Sequence, residues 1–169
     1  MLGLKITIYS FIFLSSSAIG FLISKKYEER VNELKEFKNA LNMFKTKIKF
    51  TYEPIPEIFK QISNSMDSKT GRIFELASYN MKLLTAGDAW NMAIDTDLLN
   101  INEEDKSILK NLSKLLGQTD MEGQVNQINL TTAFLDEQIE KAEKERAKNE
   151  KMYRTLGMIV GLAIVIILM

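Results

Sequence analysis

Two uncharged apolar runs bracket this chain and constrain it more than any other feature. From Ile6 to Ile23, "ITIYSFIFLSSSAIGFLI" contains no charged side chain, and its ~18 residues approach the minimum for a helix rising ~1.5 Å per residue across a ~30 Å hydrocarbon layer. The second run, "TLGMIVGLAIVIILM" from Thr155 to Met169, is shorter. Tyr153 at the interface and the snorkelling cations Lys151 and Arg154 extend its effective apolar length. Both runs read as membrane spans, dividing the chain into residues 1–24 (first span), 25–154 (polar central region) and 155–169 (second span). A cleaved signal peptide competes for the first run, since Lys5 gives a basic start and Ser16-Ser17-Ala18 resembles a small-residue cleavage site. Against it, the apolar run continues through Ile19, Phe21, Leu22 and Ile23. A buried core helix competes for the second, but no later segment is present to fold back over a helix that is apolar all round.

The placement of cations gives the orientation. Lys25, Lys26, Arg30, Lys35 and Lys38 follow the first run, and Lys141, Lys144, Arg146, Lys148, Lys151 and Arg154 precede the second, against Lys5 on the other side. The positive-inside rule therefore places the central region in the cytoplasm. Lys25, Lys26, Lys151, Tyr153 and Arg154 are the expected interface anchors. Within the spans, Ser16 and Gly20, and Gly157 and Gly161, form small-x-x-x-small steps that let helix backbones approach closely. The contact they imply is either between the two spans or with another membrane protein.

The central region reads as helix throughout. Val31, Leu34, Phe37, Leu41, Phe44 and Ile48 recur at three- and four-residue steps on a helix continuing from the first span. Pro54 and Pro56 in "YEPIPE" should end that helix near Tyr52 and start another around Pro56, burying Ile58, Phe59, Ile62 and Met66. A third amphipathic helix carries Ile73, Leu76, Ala77, Asn80, Leu83 and Leu84, with Gly87 closing it and Asp88 capping a short helix that holds Trp90 and Ile94. Asn102 should cap a fifth, with Ile108, Leu109, Leu112, Leu115 and Leu116, ending at Gly117. The last begins near Met121 and carries Val125, Ile128, Leu135, Ile139 and Ala142. It then crosses "EKAEKERAKNEK", where i,i+4 pairs such as Glu137 with Lys141 sustain a helix without packing. That charged stretch is a solvated stalk, or a surface for a partner or acidic lipid headgroups. The expected fold is all-α: a compact bundle of about six helices flanked by two transmembrane helices, with the last helix long and continuous into the membrane.

Few chemistries survive the composition. The 22 basic residues equal the 22 acidic ones, which argues against nucleic acid as a partner. There is no His and no Cys, which removes thiolate nucleophiles, His-based acid–base catalysis and zinc fingers. The densest acidic cluster comprises Asp95, Asp97, Glu103, Glu104 and Asp105. It lacks the glycine and ligand spacing of a calcium loop and is better explained by acids favouring the first turn of a helix. No phosphate-binding or nucleophile motif occurs. No catalytic residue, metal site or cofactor is expected.

Several stretches resemble the stage III sporulation protein AB family: "KKYEERVNELKEFKNAL" after the first run, "YEPIPEIF" at the proline turn, "LLGQTDMEGQVNQI" before the last helix and "AKNEKMYRTLGMIVGLAIVIILM" at the end. Glu53 and Ile55 depart from the Thr-Pro-Leu-Pro often found at that turn. The resemblance implies a non-enzymatic sporulation protein of the complex linking mother cell and forespore, in the mother-cell membrane around the forespore. It also implies a cytoplasmic domain like that of type II secretion and type IV pilus platform proteins. The implied partners are a stage III sporulation protein AA-like ATPase, other membrane components of the complex and membrane lipid, with room for a homo-oligomer. A two-span adaptor or signalling protein without a motor is the alternative.

Overall fold

The computed structural model describes residues 2–51 and 53–168, with side chains from Ile6 onward, so the Lys5 side chain, Tyr52 and Met169 lie outside what is described. Six α-helices follow in order: α1 (Leu2–Phe50), α2 (Ile55–Asn64), α3 (Lys69–Asn80), α4 (Ala86–Ile94), α5 (Glu103–Asn111) and α6 (Met121–Leu168), with a 3-10 turn at Leu112–Lys114. No strand occurs among the described residues. The protein is all-α, and its last helix runs unbroken for 48 residues. The chain divides into two compact units, one of Met1–Val31 and Lys141–Met169, the other of Asn32–Glu140. α1 and α6 contribute a segment to each.

In the unit of residues 32–140, the apolar stripe of α1 faces inward. Leu34, Phe37, Leu41 and Phe44 are fully buried, and Ile48 is half-buried. Pro54 occupies the cap position of α2 with extended backbone, and Pro56 sits in its first turn, where the missing N–H costs no hydrogen bond. Ile58, Phe59 and Ile62 are buried beneath it, while Met66 is only half-covered. Phe59 is the hub of the core. Its ring lies 4.9 Å from Phe44, 5.0 Å from Phe74 and 5.6 Å from Trp90, in the edge-on arrangements that aromatic quadrupoles favour. Trp90, buried, donates its indole N–H to the carbonyl of Leu109 at 2.7 Å, which pins α4 to the end of α5. From α6, Val125, Ile128 and Leu135 close the core.

Three boundaries differ from the sequence expectation, each for a local reason. α3 starts at a Ser68 cap, whose Oγ accepts from the N–H of Gly71 at 3.2 Å. It ends at Asn80, so Leu83 is 90% and Leu84 42% exposed rather than buried. The cap of α4 is Thr85, not Asp88: Thr85 Oγ1 accepts from the N–H of Asp88 at 3.2 Å and donates to its carboxylate at 2.7 Å. Gly87 does not close α3. It lies in the first turn of α4, where a Cβ would come within 2.6 Å of the carbonyl of Ser113. The Asn102 cap forms as expected, with a full capping box to Asp105. Helix α5 nevertheless stops at Asn111, and the chain turns through Gly117, whose φ of 73° suits a residue without a Cβ.

One buried acid is wired into this unit. Glu33 on α1 is 5% exposed. It accepts from the Asn100 N–H at 2.6 Å and the Asn100 side-chain amide at 3.2 Å, with Lys69 Nζ at 3.5 Å. It therefore holds the α4–α5 connection against α1. Burial pushes its carboxyl above the ordinary range, against the Asn100 hydrogen bonds and the Lys69 charge, which pull it down. A raised carboxyl binds its proton more tightly folded than unfolded. The resulting stabilisation is complete below the ordinary glutamate value and is lost as pH rises through the raised one. Glu33→Gln keeps an acceptor for Asn100 but cannot titrate. With Trp90, the chain's single tryptophan, as the fluorescent probe, wild type should gain stability relative to Glu33→Gln as pH falls from about 7 to about 4; a gap that is flat, or that opens the other way, contradicts this.

Candidate functional site

The unit formed by residues 1–31 and 141–169 is built from two helical segments running antiparallel, as three pairs show. The Tyr9 hydroxyl donates to the carbonyl of Leu168 at 2.8 Å, Ser16 Oγ donates to the carbonyl of Gly157 at 2.8 Å, and Arg30 Nη1 meets Glu145 at 2.7 Å. Both segments lie on helices long and apolar enough to cross a membrane. Their large side chains mostly face outward: Phe11, Leu14, Ile19, Ile159, Ile166 and Ile167 are all exposed. A core helix of a water-soluble protein hides such residues; a helix in lipid has no need to.

The four small residues singled out in the sequence come together at one contact. A Cβ on Gly20 would lie 2.6 Å from the carbonyl oxygen of Tyr153 and 2.9 Å from the Cα of Gly157. One on Gly157 would lie 2.9 Å from the Ser16 carbonyl, and one on Gly161 3.0 Å from the Ser16 Cβ. Side chains do not fit at the distances found for Gly20 and Gly157, where the backbones touch because both helices lack Cβ atoms; at Gly161 a Cβ would need its neighbour to give by only a few tenths of an ångström. Lipid tails are as apolar as leucine, so dispersion at short range and hydrogen bonds such as Ser16 to Gly157 must hold a contact of this kind.

Toward the charged side, the contacts change character. Tyr27 and Tyr153 stack with ring centres 5.8 Å apart. Arg154 lies over the Phe21 ring at 5.6 Å, within cation–π range. Lys25 pairs with Glu29 at 3.6 Å on its own helix, while Lys26 and Lys151 are exposed. Arg30, with only 8% of its side chain exposed, bonds Glu145; Arg146 bonds Glu150 at 2.8 Å and lies 3.7 Å from Glu28. Sequence reasoning grouped Arg30 with the cations that set orientation, and assigned no role to Tyr27, Glu28 or Glu145. Their spacing at the helix-facing positions of both segments was the available signal.

Four of the five residues of the acidic cluster take structural roles. Asp95 pairs with Lys110, Glu103 with Lys106 at 3.0 Å, Glu104 accepts from Gln138 at 2.8 Å and Asp105 completes the α5 cap. Among the described residues, no three His, Cys, Asp or Glu side chains gather as metal ligands do.

An all-helical protein with two helices able to cross a bilayer is the class this architecture defines. A profile of the stage III sporulation protein AB family (spore_III_AB) matches residues 5–169, and the chain belongs to that family. It is 27% identical over 163 residues to the stage III sporulation protein AB of Bacillus subtilis (strain 168), covering 94% of this chain and 95% of that protein. A solved structure of stage III sporulation protein AB (SpoIIIAB) superposes with a TM-score of 0.67 at 21% identity, over 71% of this chain and 98% of that one, so the two share a fold.

The glycine contact makes a specific prediction. Gly157→Leu should lower the thermal stability of the full chain in detergent by about 1–3 kcal/mol through overpacking, while Ala163→Leu, at an exposed position of the same helix, should leave it nearly unchanged. Equal effects of the two would contradict the contact.

Proposed function

We propose that this sporulation protein is a non-enzymatic membrane platform of the complex linking mother cell and forespore. On this reading, Asn32–Glu140 is a cytoplasmic docking domain for a secretion-type ATPase resembling stage III sporulation protein AA, and the two apolar helical segments fix it in the mother-cell membrane around the forespore. The observation that carries the reading is helix continuity. α1 and α6 each run without a break from an apolar segment into the unit that holds the aromatic core. A soluble motor acts on a membrane assembly only through an anchored element, and α1 and α6 each supply a segment to both units.

Two further features support it. The cations concentrated at Lys25, Lys26 and Arg30 and from Lys141 to Arg154 favour the cytoplasmic side for the central unit. Within the acidic cluster, Asp105 is engaged in a helix cap and Glu103 and Asp95 in ion pairs. When the full chain is co-expressed with the ATPase and extracted in mild detergent, the two should co-purify, and the yield should depend on whether ATP or ADP is present. Failure to associate in every nucleotide state contradicts the docking role.

A further inference from the structure

Along one face of α6, at the edge of its apolar segment, lies a groove of about 350 Å³, at the small end of the ~300–1,000 Å³ typical of ligand pockets. Arg146, Glu150, Lys151, Arg154, Thr155 and Met158 are among its lining. Arg146 bonds Glu150 at 2.8 Å and so offsets its charge. Lys151 and Arg154, by contrast, make no ion pair among the described residues, and the Thr155 hydroxyl makes no hydrogen bond there. The guanidinium of Arg154 rests over the Phe21 ring at 5.6 Å, a contact that leaves its charge unneutralised. Two unpaired cations and a hydroxyl within one helical turn form a set of donors for a phosphate.

We propose that this groove binds the headgroup of one acidic phospholipid. Lys151 and Arg154 take the phosphate and its negative charge, Thr155 donates to an ester or glycerol oxygen, and an acyl chain follows Met158 and Leu162. Those last two side chains are exposed and apolar, on the same helical face one and two turns further on. A site for free phosphate has no use for such a continuation, and a lipid does. Residues 151–155 also sit where the chain passes from charged to uncharged, the level at which headgroups lie. The site would make the platform's anchorage sensitive to the acidic-lipid content of its membrane.

This proposal rests on the membrane reading given above. The test is native mass spectrometry of the full chain, titrated separately with phosphatidylglycerol, phosphatidylcholine and inorganic phosphate. One phosphatidylglycerol should be retained in preference to phosphatidylcholine. K151Q/R154Q should weaken that binding by roughly 25-fold, about fivefold per cation, and K25Q/K26Q, which removes the same charge from α1, by less than about threefold. Arg154→Lys should retain most of the preference, which separates lost charge from lost packing on Phe21. Equal retention of phosphatidylcholine, equal loss in K25Q/K26Q, or phosphate binding as tight as phosphatidylglycerol would each overturn the proposal. A chain that inserts stably into phosphatidylglycerol and phosphatidylcholine vesicles yet shows no preference removes the headgroup site alone. One that inserts into neither removes the membrane reading along with it.

Discussion

The contact at Gly20 and Gly157 is the constraint on which the rest depends. There the helical segments at the two extremes of the sequence, more than a hundred residues apart, meet backbone to backbone. In water such a meeting would be driven by burial of apolar area. In lipid that drive is absent, and proximity of backbone atoms replaces it. Glycine at both positions is therefore a geometric requirement, and the Ser16 hydroxyl adds a directional bond to the same point. The exposed Leu, Ile and Phe side chains around it, a liability in a soluble protein, suit an environment of acyl chains.

Beyond the apolar segments the same two helices exchange one kind of adhesion for another. Stacked tyrosines give way to ion pairs, with Arg30 and Glu145 almost withdrawn from solvent on the arginine side. In the unit of residues 32–140 the aromatic core around Phe59 takes over, and the indole bond of Trp90 and the buried Glu33 carboxylate fix how the short helices are joined. The domain so formed is closely packed at its centre. It carries exposed apolar residues at its periphery, Leu83 among them, which suits a domain whose proposed work is to be gripped rather than to catalyse.

Much of this was legible in the residues. Apolar spacing, together with the proline turn and the cap residues, located all six helices; in α1 the three- and four-residue steps of Leu34, Phe37, Leu41 and Phe44 mark the buried stripe. Boundaries were less legible where two capping signals competed. Thr85 and Asp88 both suit a cap, and the threonine hydroxyl won because it reaches the N–H three residues on while also holding the Asp88 carboxylate. The small-residue steps pointed to close helix packing, but periodicity alone could not say which helix each would meet. Glu33 was invisible as a special residue. It reads as one more charge in a Lys- and Glu-rich helix, and only the packing of the Asn100 loop against it makes it structural.

The central claim is that the segments around Ser16 and Gly161 pair with each other within one molecule. The chain has no cysteine, so a Ser16→Cys, Gly161→Cys double variant carries only the two introduced thiols. The Cβ positions lie 3.0 Å apart, within about an ångström of the ~3.8 Å a disulfide spans. After oxidation in native membranes and proteolysis within the central unit, the two halves of one chain should remain joined until reductant is added. Halves that separate without reductant, or a bond found only between different copies, would contradict the account.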